Sequence, residues 1–179
     1  IVGALPGGLA LINIIAAMLM GAIAGSAMAS ASAMGSILGP KMEKEGYSKE
    51  YGAAVNITSA TIGLVIPPSN VLIVYSLASG GVSIAALFLA GYVPGILTGL
   101  FLMIVAAFWA KRKGYKTAQR SSVIKILKTL VVAFPSLLLL IIVIGGIVAG
   151  FFTATEASAV AVVYTLVLGF IYKEIKFKD

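Results

Sequence analysis

Hydrophobic residues fall along the chain in three long blocks separated by short charged clusters. Residues 1–40 carry no charge, residues 51–110 carry none, and residues 129–172 carry only Glu156. One membrane helix needs roughly 20 apolar residues, so the second and third blocks each hold about two crossings. The first block differs, because glycine and serine punctuate it. Leu9 to Ile23 reads as a helix, Gly25-Ser26 interrupts, and Ala27 to Leu38 reads as a second helix of small residues. Arms of roughly 12 to 15 residues reach about 20 Å, short of the ~30 Å hydrocarbon core. That length predicts a re-entrant hairpin over 1–40, with its tip at Ala22 to Ser26 partway through the bilayer. Two packed short spans are the alternative, since the run Ser26-Ala-Met-Ala-Ser-Ala-Ser-Ala-Met-Gly-Ser36 lets backbones approach closely.

The second block predicts a broken transmembrane helix over 51–80 and a further span over 81–110, with Gly80-Gly81-Val82-Ser83 as the turn between them. The break is Gly63-Leu-Val-Ile-Pro-Pro-Ser-Asn70. Pro67 and Pro68 each lack an N–H and clash with the carbonyl four residues back. Ile66, preceding a proline, is pushed toward an extended conformation. Carbonyls bared this way at membrane depth are tolerated only against protein or a water-filled cavity. Asn56, Thr58, Ser59 and Thr61 precede the break, and Ser69 and Asn70 follow it. Short polar side chains on both flanks of a broken helix mark an ion or substrate site. A plain proline kink with ordinary polar packing is the competing account.

Charge then fixes the topology. The cluster at 41–50 holds three Lys and three Glu and reads as a loop, whereas 111–128 holds seven basic residues and no acid. By the positive-inside rule 111–128 is cytoplasmic, which puts the Gly80-Gly81 turn outside and the 41–50 loop inside. Residues 129–150 span outward after an amphipathic stretch at Val123 to Leu130, and 151–179 return to a basic tail at Lys173 to Lys178. The net charge of +7 borders membrane segments throughout, which argues against nucleic acid as a partner. With 60% hydrophobic and 11% charged residues, the fold class is an all-α integral membrane protein. The chain begins at Ile1 and is expected to be a piece of something longer. Cysteine and histidine are absent and no Asp lies in an apolar block. A membrane-embedded enzyme would need an activated nucleophile, so that class is set aside. Glu156 follows Phe152-Thr-Ala-Thr155, and Thr155 is expected to cap the last helix with Glu156 in its first turn.

The motifs occur in a recognisable order. They run from the Gly25-Ser26 and Gly35-Ser36 hairpin to Lys41-Met-Glu-Lys-Glu-Gly-Tyr47 and Ile66-Pro-Pro-Ser69. Val82-Ser-Ile-Ala-Ala-Leu-Phe-Leu-Ala-Gly91, Lys111-Arg-Lys-Gly-Tyr115 and Gly150-Phe-Phe-Thr-Ala-Thr-Glu-Ala157 follow. Together they resemble the large membrane subunit of the tripartite ATP-independent periplasmic (TRAP) transporters, over nearly the whole chain. The resemblance implies one half of an elevator-type secondary transporter of the bacterial inner membrane, covering the first inverted repeat and the start of the second. It implies sodium-coupled import of a small carboxylate, such as sialic acid or a C4-dicarboxylate. The expected partners are a periplasmic substrate-binding protein, a small membrane subunit and the lipid bilayer. Two positions depart from the family pattern. Ser30 stands where an acidic residue is frequent, and Ala154 replaces the proline of a Thr-Pro-Thr-Glu segment.

Helix ends supply the chemistry this reading needs. Sodium wants several hard oxygens, which freed carbonyls provide without a formal charge. Ser26, Ser59, Gly63, Ile66 and Pro67 are the expected sodium ligands. Ser30, Asn56, Pro68, Ser69 and Asn70 are expected on the substrate side, with the helix N-terminus at Ser69-Asn70 facing an anion. A channel or structural membrane subunit without ion coupling is the rival reading.

Overall fold

A computed structural model describes residues 6–115 and 123–173, and among these all regular structure is helical. Seven helices follow in order: α1 (Gly8–Ala24), α2 (Ala27–Lys44), α3 (Lys49–Ile62), α4 (Asn70–Ala78), α5 (Ile84–Lys113), α6 (Val123–Val148) and α7 (Ala154–Ile171). The first and last residues of the chain and most of the basic connection after α5 lie outside the described residues. So does the expected basic tail at Lys173 to Lys178, apart from Lys173 itself.

The hairpin arms are α1 and α2, of 17 and 18 residues. They are longer than the sequence suggested because α2 runs through Gly39-Pro40 to Lys44. Pro40 removes one amide donor from it, yet Lys41 and Lys44 in its last turn complement the helix dipole. The segment expected as a loop over 41–50 is therefore helical at both ends, with a turn only around Glu45 to Ser48. Ser48 starts α3 by accepting from the Tyr51 amide at 3.3 Å. The helix expected over 129–150 begins at Val123, so the amphipathic stretch and the span form one continuous helix, α6.

Packing centres on α1. It lies against α2, α3 and α5, while α6 and α7 pair with each other and touch the rest mainly through α5. Leu9, Leu11, Ile14, Met42, Tyr47, Val55 and Ala106 form the buried cluster that joins hairpin, broken helix and α5. Tyr47, Tyr51 and Tyr115 stack around its rim, and the Tyr51 hydroxyl donates to the Ala106 carbonyl at 2.8 Å. A smaller cluster of Phe88, Ile147 and Ala157 seats α6 and α7. Three helices, α5, Leu127–Val148 of α6, and α7, are long and apolar enough to cross a membrane. Large apolar side chains such as Phe101, Ile104 and Phe108 of α5 face outward, which suits hydrocarbon and not water.

The cap of α7 corrects the sequence reading. Thr153, not Thr155, is the N-cap: its hydroxyl accepts from the Glu156 amide at 3.3 Å. The Glu156 carboxylate reaches back to the Thr153 amide at 2.8 Å. This reciprocal capping box satisfies two amides that a helix start leaves without partners. The expectation that Glu156 serves the helix start holds, with the cap two residues earlier.

Candidate functional site

The hairpin tip and the proline break meet. α1 ends at Gly25, whose backbone is left-handed (φ 59°, ψ 19°) and whose amide donates to the Gly21 carbonyl at 2.8 Å. A Cβ on Gly25 would lie 2.5 Å from Nδ2 and 2.8 Å from Cγ of Asn70, the first residue of α4. Glycine is thus required there twice over, for the positive φ and for the close approach. One turn back, a Cβ on Gly63 would lie 2.5 Å from Gly21 Cα, and one on Gly21 would lie 2.8 Å from Gly63 Cα. Two helix C-termini, α1 and α3, therefore touch at Gly21 and Gly63. Two helix N-termini, α2 and α4, start beside the Gly25–Asn70 contact. Bared carbonyls make helix C-termini partly negative, and bared amides make N-termini partly positive. One small volume offers both.

The break itself follows from missing donors. Pro67 and Pro68 have no N–H to give the carbonyls of Gly63 and Leu64. Leu64 recovers a partner from the Ser69 hydroxyl, which donates to its carbonyl. The same oxygen caps α4 by accepting from the Leu72 amide at 3.5 Å. Ser69 is fully buried while doing so. The Ile62 carbonyl is met by the amides of Val65 at 3.0 Å and Ile66 at 3.4 Å. The Val65 carbonyl is directed at α5, where a Cβ on Gly91 would sit 2.5 Å from it. Among the described residues, no donor meets the carbonyls of Gly63, Ile66 or Pro67. These are the three carbonyls that the sequence reading assigned to a cation.

The remaining predicted residues sort by what their polar atoms already hold. Ser26 is the N-cap of α2, accepting from the Ala29 amide at 3.3 Å. Ser59 is fully buried and donates to the Val55 carbonyl at 2.7 Å, so its proton points down its own helix and only oxygen lone pairs remain. Ser30 donates to the Ala17 carbonyl at 2.8 Å and braces the two hairpin arms. The Asn56 amide donates to the Ala31 carbonyl at 2.7 Å and braces α3 against α2. Pro67 is buried, whereas Pro68 is half-buried and Asn70 is exposed beyond its contact with Gly25.

Three glycines of α5 carry a role that the sequence reading missed. Gly91, Gly95 and Gly99 recur every four residues and are all buried. Gly91 receives the Val65 carbonyl, Gly95 the Ile66 side chain and Gly99 the Met18 side chain. They form the floor on which break and hairpin rest. The signal was present as a small-residue stripe in an apolar helix. Gly91→Ala is expected to lower stability by about 1–3 kcal/mol, because the added methyl meets a backbone oxygen. Gly145→Ala, whose Cβ would have nothing within 4 Å, is the control in the same thermal unfolding assay.

Comparison with known proteins finds relatives over nearly the whole chain. The chain is 61% identical over 175 residues to the uncharacterized protein YgiK of Salmonella typhimurium, covering 98% of this chain and 40% of that protein. It is 43% identical to the C4-dicarboxylate TRAP transporter large permease protein DctM of Vibrio cholerae, covering 97% of this chain and 38% of that one. It is also 40% identical to the sialic acid TRAP transporter large permease protein SiaM of Vibrio cholerae, covering 94% and 39%. The chain thus spans about 40% of the length of these relatives. Matched over residues 1–179, it belongs to the DctM component family of the tripartite ATP-independent periplasmic transporters.

Proposed function

We propose that this chain is the first half of a sodium-coupled importer of small organic anions, working by an elevator movement. Permeases of this family are transporters and not enzymes. The observation that carries the proposal is the meeting of the hairpin tip with the break. There the carbonyls of Gly63, Ile66 and Pro67 lack donors, and two serine-capped helices begin. The carbonyls and Ser26 would hold sodium; Ser59 adds only its oxygen lone pairs. The N-termini at Ser26 and Ser69 would face the anionic substrate, which relatives named for C4-dicarboxylate and sialic acid support. The described part of the site has no Lys or Arg of its own, so any cationic group on the substrate carboxylate belongs to the rest of the protein. A periplasmic binding protein would deliver the substrate, and a small membrane subunit would flank this one in the bacterial inner membrane.

Uptake by proteoliposomes holding the full-length transporter with its small subunit and binding protein tests this. A sodium gradient should drive accumulation of a carboxylate, and a choline gradient should not. Equal uptake in both would favour a channel or structural subunit. The orientation has its own test, since basic residues at the end of α5 favour a cytoplasmic position for that end. A cysteine at exposed Ser83 should react with an impermeant maleimide added to intact spheroplasts, and one at exposed Lys113 should not. The reverse labelling would invert the topology.

A further inference from the structure

A cavity of about 370 Å³ lies lower in the hairpin, between α1, α2 and α3. Small residues make the room: Ala31, Gly35 and Gly39 on one face of α2, opposite Gly52 of α3. Two asparagines line it, Asn13 of α1 and Asn56 of α3, only 1% and 7% exposed. The Oδ1 atom of each is buried, and among the described residues neither has a hydrogen-bond partner. A buried acceptor left without a donor costs about 1–3 kcal/mol, so two around one cavity call for an occupant. The Asn56 amide is fixed in orientation, because its Nδ2 already donates to the Ala31 carbonyl at 2.7 Å. Its oxygen is the atom left without a partner.

The occupant must satisfy acceptors. The buried asparagine oxygens offer no positive charge to an anion. Lys49 also lines the cavity, but its side chain is 78% exposed and paired with Glu43 at 3.6 Å. The Glu43 carboxylate adds negative charge on the same side. Amide oxygens are hard ligands suited to a hard cation, and the volume leaves room for several waters beside it. Asn13 lies twelve residues before Gly25 on α1, roughly 18 Å along the helix, so this cavity is distinct from the tip.

We propose that the cavity binds a partly hydrated alkali-metal cation, with the Asn13 and Asn56 amide oxygens as its protein ligands. It is a second cation position, reached past Glu43 and Lys49, and it does not depend on the tip site being a sodium site.

Equilibrium binding of radiosodium, and of radiorubidium as the potassium probe, to the purified full-length transporter tests this. Asn13→Leu and Asn56→Leu should each bind one ion fewer than wild type. Replacement of Pro67 and Pro68 by alanine should leave this ion in place, whatever it does at the tip. Asn13→Asp should raise the affinity of the same ion roughly tenfold at neutral pH, since a carboxylate beside a cation adds Coulomb attraction. A misfolded variant cannot give that gain. Unchanged stoichiometry for both ions in the leucine variants, or no gain with Asn13→Asp, would overturn the proposal and leave a cavity closed by water or by the two amides bonding each other.

Discussion

Alanine at both Pro67 and Pro68 is expected to abolish sodium-driven uptake while the protein stays folded. Each proline disfavours a helix interior by about 3 kcal/mol relative to alanine, so the double variant strongly favours a continuous α3–α4 helix. The restored amides at 67 and 68 would reach the carbonyls of Gly63 and Leu64, which now lack a backbone donor. A helix from Lys49 to Ala78 would be roughly 45 Å long, ample for a crossing. The Gly63 and Ile66 carbonyls would then lie in intrahelical hydrogen bonds and be lost to sodium. Expression and thermal stability in detergent should equal or exceed wild type, while sodium-dependent uptake disappears. Ser69→Ala should do less to transport, but it strips the Leu64 carbonyl of its partner and α4 of its cap. A stability loss of about 1–3 kcal/mol follows for that variant. A double alanine variant that transports with unchanged sodium dependence would reduce the break to a kink.

Gly63→Ala is expected to have the second largest effect. Its methyl would meet Gly21 Cα at 2.5 Å, Gly21 C at 2.8 Å and the Ala22 amide nitrogen at 3.1 Å, all of them backbone atoms. No rotamer can relieve that contact, so α1 and α3 must separate and the tip must leave the break. Overpacking costs about 1–3 kcal/mol, and the loss of uptake should exceed what that cost implies. Gly25→Ala probes the same meeting differently. There the clash is with the Asn70 side chain, so Gly25→Ala with Asn70→Ala should regain part of the loss. The rest is the cost of a left-handed alanine, about 1–2 kcal/mol. Gly145→Ala, with nothing within 4 Å of the added carbon, should behave as wild type in uptake and stability.

The two interruptions were legible because proline and glycine act on their own backbone. Pro67-Pro68 must break a helix wherever it sits, and Gly25-Ser26 supplies both a left-handed stop and a cap. Their meeting was not legible from local rules. It depends on Gly21 and Gly63 facing each other across two helices, and on α5 presenting a glycine every fourth residue beneath them. The bracing roles of polar residues were hidden for the same reason. Ser30 and Asn56 read as site residues, but their donors also have carbonyls to hold across the packed helices, those of Ala17 and Ala31. The charged cluster at 41–50 looked like a loop because it leaves the apolar block. Lys and Glu are good helix formers, however, and α2 simply continues to Lys44. At α7, threonine occurs at both 153 and 155. The glutamate three residues after Thr153 was the capping-box signal that separates them.

The central claim is that sodium sits where the hairpin tip meets the break, and the absence of native cysteine in this chain makes Ser26 its best reporter. A cysteine replacing Ser26, the only thiol left in a full-length transporter otherwise cleared of cysteine, should react slowly with a small water-soluble methanethiosulfonate. Sodium should slow the reaction further in a saturable manner, choline should not, and the protection should vanish when Pro67 and Pro68 are also alanine. A reaction rate indifferent to sodium, in a protein that still transports, would contradict the account.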